Sequence, residues 1–315
     1  MIKFGRWLAY GAIVLVAALI VLAWAGGAIN WNQEPPYKMA LSWGEKGDAR
    51  GQFNDPTGIA VTGDAVFVSD ARNGRIEVFD KQGPFKRAFG QDRLGRPMNL
   101  DISGGKLYVP DYFKDAIFVF TLAGDYEQTI KAADGLDSPG GVAVRTDGTL
   151  LVADTYAKRV VNIGRDGELL RVWGTPGESG IWAGEFNYPT DVANAPDGGF
   201  YVADGYNDRI QQFGPDGAFV RKWGGPFGVN IFGPFKGWFT TVNSVAVGPQ
   251  GNVFAADFYN DRIQKFDADG SYLTSFAPDN VGGPGHTETA VAVDADGTVF
   301  SVNFKGNRVE RWQRP

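Results

Sequence analysis

Asn99, Asp191, Asn243 and Glu288 stand near the openings of four of the six repeated units in this 315-residue chain. Gathered at one mouth, such oxygen donors would suit calcium, which takes roughly 6–8 oxygens from carboxylates, carbonyls and water. A metal held there would act as a Lewis acid in a hydrolysis, with Asp191 as ligand or base. Other chemistries fail by count. There is no cysteine, and His286 is the one histidine. The chain therefore builds no disulfide, thiolate zinc site, cysteine nucleophile or multi-histidine metal site. No Gly-x-Ser-x-Gly elbow accompanies His286, which lies in Pro284-Gly285-His286-Thr287 and reads as a loop residue.

The elements that would position these residues are written into a phrase used six times. Val-Ser-Asp70 leads to Arg75-Ile, Val-Pro-Asp111 to Ala116-Ile, Val-Ala-Asp154 to Arg159-Val, Val-Ala-Asp204 to Arg209-Ile, Ala-Ala-Asp257 to Arg262-Ile, and Ser-Val-Asn303 to Arg308-Val. An internal repeat decides the architecture before any single residue does. In the third copy, Pro139 to Val144, Leu150 to Asp154, Arg159 to Ile163 and Leu169 to Gly174 read as four short strands, with Asp147-Gly148 and Asp166-Gly167 as turns. Four antiparallel strands per unit of roughly 40–50 residues describe a propeller blade. The sixth unit stops after three strands. Met39 to Gly44 has no unit of its own, yet resembles the fourth strands Lys86 to Gly90 and Val220 to Gly224. This strand is expected to complete blade six and close the ring, which removes an open sheet edge. Trp43 would then share a position with Phe89, Ile130, Trp173, Trp223 and Phe276.

The pattern Pro-x-Gly/Asp-Val/Ile-Ala-Val, Asp-Gly, Val-Ala-Asp and Asn-x-Arg-Ile resembles the NHL repeat over residues 38 to 313. The resemblance implies an all-β, six-bladed β-propeller of four-stranded antiparallel blades. It leaves function open, since such folds serve as binding platforms, lyases and hydrolases. Six-bladed lactonases are similar in using an axial calcium, which is the chemistry set out for Asn99, Asp191, Asn243 and Glu288. Lyases of this kind need several histidines, and RNA-binding NHL domains are basic on one face. This chain has one histidine and a net charge of -6. The charge argues against nucleic acid as a partner. Blade two departs from the pattern at Ala116 and in its opening Arg96-Pro97-Met98-Asn99-Leu100; blade six departs at Asn303. The repeated Asp and Arg residues, being common to most copies, read as turn scaffolding.

Residues 1–29 read as a transmembrane signal-anchor, 30–37 as a linker and 38–315 as the propeller. Trp7 to Ile29 carries no charge, and roughly 20 such residues span a bilayer. Trp7, Tyr10 and Trp24 lie near its ends, and Lys3 and Arg6 precede it, which puts the N-terminus in the cytoplasm and the propeller in the periplasm or its equivalent. Cleavage after Ala23-Trp24-Ala25 is the alternative. Two inserts complete the reading. Residues 175–187 carry Ile181, Trp182 and Phe186, and residues 225–240 carry Phe227, Ile231, Phe232, Phe235, Trp238 and Phe239. They share one face with Tyr112, Phe113, Tyr156, Tyr206, Phe258, Tyr259 and Phe304. Trp182, Phe227, Ile231, Phe232, Phe235, Trp238 and Phe239 are expected to form an interaction surface for a protein partner or a lid over a small ligand. By chain direction the linker would enter at the opposite face. Two functions fit: a protein-interaction module or subunit of a membrane complex, and a calcium-dependent hydrolase at the channel mouth.

Overall fold

A computed structural model describes residues 33–278 and 288–315; the expected membrane anchor, and His286 in its loop, lie outside the described residues. Six four-stranded antiparallel sheets follow one another around an axis. Blade three shows the pattern: Pro139–Val144 innermost, then Leu150–Asp154, Arg159–Ile163 and Leu169–Trp173 outermost. The inner strands touch their neighbours in sequence, and the first, Pro56–Thr62, touches the last, Glu288–Val293, so the ring closes. Blade six takes Lys38–Trp43 as its outer strand, paired antiparallel to Arg308–Gln313 with Trp43 opposite Val309. Trp173 faces Val160, Trp223 faces Ile210 and Phe276 faces Ile263, the same place in the register. The expected closure and the shared aromatic position are both present.

Alternation explains the core. Each strand turns one set of side chains toward the preceding blade and the other toward the next. The apolar core is accordingly six clusters, each wedged between two adjacent blades. Phe53, Phe79 and Val302 join blades six and one, for example, and Phe186, Phe200 and Phe213 join three and four. Phe53, Phe186 and Phe239 are the same wedge in three loops, and all are fully buried. Each lies against a glycine that ends the previous blade. At Gly224, φ is +130°, and a Cβ there would lie 2.7 Å from the Phe239 ring, so only glycine admits the wedge.

The chain before the closing strand does not drop away from the ring. Tyr37 stacks on Phe276 with ring centroids 4.8 Å apart. The Glu34 amide donates to the Leu273 carbonyl at 2.9 Å, and Lys265 Nζ reaches the Glu34 carboxylate at 2.5 Å. Gln33 Oε1 accepts from Lys236 Nζ at 2.9 Å. Residues 33–37 therefore lie along blade five and end at the 225–240 insert. Lys38 pairs with Gln313, at the end of the closing strand away from the Asn303–Arg308 corner, so the linker enters where strand direction places it. The contacts to Leu273, Lys265 and Lys236 then carry residues 33–37 back along blade five, a path that strand direction does not give. No helix among the described residues is long and apolar enough to cross a membrane.

Candidate functional site

The repeated Asp and Arg build one corner per blade. Asp70, Asp154, Asp204 and Asp257 end the second strand, fully buried. Each accepts the backbone N–H of the loop entering its own blade: Asn54, Asp137, Asn187 and Thr240, at 2.6–2.8 Å. Each also pairs with the arginine that starts the third strand, at 2.7–2.8 Å. The arginine spends its other nitrogens on that same loop. Arg75 holds the carbonyls of Asp48, Ala49 and Gln52. Arg209 holds those of Ile181, Trp182 and Glu185, and Arg262 those of Pro234, Phe235 and Trp238. Burial pushes all four carboxyls up, while Arg and backbone donors oppose it; Asp257 settles at about 6. These pairs are loop clamps, as the repeat implies.

Blade six relocates the carboxylate. Asn303 replaces aspartate, and Glu310 takes its role, accepting Arg308 Nε at 2.7 Å and Asn303 Nδ2 at 3.0 Å. Glu288 is fully buried in this corner, beside Glu310 and Ser301, and burial with the neighbouring Glu310 pushes it well above the usual carboxylate range. A third carboxylate at position 303 would add charge where a proton is already needed to neutralise one.

The channel mouth is a girdle of stitches between blades. Thr57 Oγ donates to Pro97 O at 2.8 Å, Thr190 Oγ to Val242 O at 3.0 Å, Asn243 Nδ2 to Thr289 O at 3.0 Å and Thr289 Oγ to Pro56 O at 3.1 Å. The last bond crosses the seam of the ring. Asn99 Nδ2 points at the carbonyls of Thr190 and Asn243, 3.4 and 3.3 Å away. Asp191 bridges blades four and five, accepting from Ser244 Oγ at 2.8 Å and the Val245 amide at 3.0 Å, and from its neighbour Val192 at 2.9 Å. Its burial beside a cavity of about 260 Å³ pushes it up to about 7.

The four candidate ligands therefore do not form one set. Asn99, Asp191 and Asn243 meet at the mouth, but both asparagines offer amide nitrogens to carbonyls. Glu288 aligns with Pro56, Pro139 and Pro189 at the first position of the inner strand, which turns it into the blade corner and away from the axis. Among the described residues, no group of three or more His, Cys, Asp or Glu could hold a metal ion. Asn99 Oδ1 is left without a hydrogen-bond partner among the described residues.

The loop face carries aromatic side chains. Tyr112, Tyr156, Tyr188 and Tyr206 touch in succession, at centroid distances of 5.7, 5.2 and 4.9 Å. Tyr188 is the member the sequence reading missed; it precedes the inner-strand proline of blade four. On the inserts, Trp182, Phe227, Ile231, Phe232 and Phe235 are exposed, Trp182 and Phe232 by 68% and 67%. Trp238 is half-buried against Phe235, with centroids 4.9 Å apart. Phe239 is not part of the surface. It is fully buried and packs on Phe266 at 5.6 Å, because it is the wedge that Phe53 and Phe186 supply elsewhere. Its place three residues before the inner strand was the signal.

A family model described as NHL repeat matches residues 53–79 and 186–213. Protein brain tumor of Drosophila melanogaster is 30% identical over 142 residues, which cover 42% of this chain and 14% of that protein. B-box type zinc finger protein ncl-1 of Caenorhabditis elegans is 28% identical over 139 residues, covering 41% of this chain and 16% of that one. The chain thus spans a small part of the length of these relatives. Among solved structures, a streptogramin B lyase superposes with a TM-score of 0.60 at 12% identity, over 84% of this chain and 94% of that one. A Bacteroides thetaiotaomicron protein of unknown function superposes with a TM-score of 0.66 at 16% identity, over 88% and 75%. At such identities the superpositions speak for the fold alone. The chain carries NHL repeats and folds as a six-bladed β-propeller of four-stranded antiparallel blades.

Proposed function

We propose that this propeller is a membrane-anchored, extracytoplasmic protein-interaction module, a subunit or scaffold of a complex in the cytoplasmic membrane. The observation that carries the reading is the run of touching tyrosines, Tyr112 to Tyr206, on a face whose loops are clamped at their backbones. Rigid aromatic side chains with a polar tip bury large area on binding at little entropic cost, and they dominate protein interfaces. The anchor rests on the uncharged stretch from Trp7 to Ile29 and the cations before it. The calcium-dependent hydrolase has less support, because Asp191 already receives three hydrogen bonds and Glu288 lies in a separate corner.

The test is co-purification from detergent-solubilised membranes of the producing cell, comparing the full chain with a Tyr156→Ser, Tyr206→Ser double variant of unchanged melting temperature. A stoichiometric partner held by the parent chain and lost from the variant supports the proposal. Identical protein profiles from both overturn it.

A further inference from the structure

We infer that the 225–240 insert rests on the bilayer beside the N-terminal anchor, so that the propeller lies on its blade-five flank instead of standing clear of the membrane. The inference rests on the anchor proposed above. Gln33 is bonded to Lys236 of the insert, and it follows Ile29, the end of the apolar stretch, by four residues. Four residues of any conformation reach at most roughly 14 Å. The polar zone of one leaflet is itself roughly 5–7 Å deep. A chain leaving the hydrocarbon at Ile29 therefore keeps Lys236 within reach of the headgroups.

The insert is composed for that position. Phe227, Ile231, Phe232 and Phe235 are exposed on it, and all are more than 40% accessible. Lys236 supplies an ammonium beside them, the pairing of aromatic rings and cations that favours a membrane interface. Blade five holds part of its backbone. Arg262 takes three of its carbonyls, Gln264 Oε1 accepts the Gly237 amide at 2.9 Å, and the Gly233 amide donates to Phe239 O at 3.1 Å. A protein partner is the other occupant such a surface would suit; continuity with the end of the anchor decides for lipid.

The chain has no cysteine, so single cysteines can be placed at will. Phe232→Cys and Phe235→Cys report on the insert, and Thr146→Cys, on an exposed turn at the opposite end of blade three, serves as reference. Each full-length variant is labelled with an environment-sensitive fluorophore and reconstituted into phosphatidylcholine–phosphatidylglycerol vesicles containing lipids spin-labelled near the headgroup. Blue-shifted emission, quenched by the lipid at 232 and 235 and unquenched at 146, is expected. Vesicles that float with the protein while all three sites stay unquenched overturn the docking and leave the anchor standing. Protein that fails to float with the vesicles overturns the anchor, and the docking with it. Shielding at 232 that appears only when a second protein is added assigns the insert to that protein and overturns the lipid contact.

Discussion

Blades two and five build the same corner by different means. In blade two, Asp111 accepts the amides of Gly95, Arg96, Phe113 and Lys114, and Ala116 stands where other blades have arginine. In blade five, Asp257 accepts Thr240 N, Asn260 Nδ2, Gln264 Nε2 and Arg262 Nε, and Arg262 goes on to three loop carbonyls. The wedge differs too: Leu94 in blade two lies against Gly90, where blade five sets Phe239 against Gly224. The loop into blade two is short, whereas the loop into blade five carries the insert. The aspartate thus belongs to the corner, and the arginine belongs to the loop. A blade can lose its arginine when its loop has no row of carbonyls to be held.

Arg262→Ala is the hardest test of that division. It strands the fully buried Asp257 carboxylate and frees three carbonyls of the insert, so a loss of about 3–5 kcal/mol in urea unfolding is expected at neutral pH. The pH dependence carries a sign. Asp257 has a folded pKa of about 6, above its ordinary 3.8, so the folded state binds the extra proton between those values. Removing the arginine raises it further, so the penalty should shrink as pH falls toward 6 and level off below it, where the carboxyl is neutral in both proteins. A penalty that is the same at pH 4.5 and 7.5 would break the ion-pair account. Phe239→Ala comes next, at about 3–5 kcal/mol, against about 2–5 kcal/mol for Leu94→Ala in blade two. Equal and negligible effects on melting would mean that neither side chain is a wedge.

Asp191 is the axial counterpart of these buried corners and gives a smaller, pH-limited effect. Its folded pKa of about 7 lies above the unfolded value, so its contribution is present below pH 4 and lost as pH rises through 7. Asp191→Asn should flatten the fall of melting temperature between pH 5 and 8, an effect on the order of a few kcal/mol. An unchanged slope would place the ionisation elsewhere, with the Glu288–Glu310 pair of blade six as the next candidate.

Much of this was legible because repetition carries register. The phrase ending at Asp154 fixes where strands begin, and the missing outer strand of blade six points to Trp43. Side-chain direction at the inner strand was less legible. Glu288 and Thr289 are neighbours in sequence, but one fills the Pro56 position inside a blade and the other stitches the channel mouth, so a list of oxygen-bearing residues could not separate them. Phe239 was misplaced because composition marks the insert as aromatic throughout, while the position relative to the strand marks that one ring as core. The path of residues 33–37 depends on contacts with Leu273 and Lys236, far away in sequence, and no local pattern records them.

The mildest change sharpens the comparison most. Phe232→Ala alters a ring that is 67% exposed, on the same loop as Phe239 and only seven residues from it. The Arg262 clamp grips backbone carbonyls, so it is indifferent to that side chain. Melting temperature should stay within the scatter of ordinary surface substitutions, about 0.5 kcal/mol. Paired with a large loss for Phe239→Ala, this result would show that one loop serves two masters: its backbone and wedge belong to the propeller, and its outer rings are free for a surface beyond it. A loss for Phe232→Ala comparable to that for Phe239→Ala would instead make the insert a folded extension of the core, and the contrast between blades two and five would reduce to loop length.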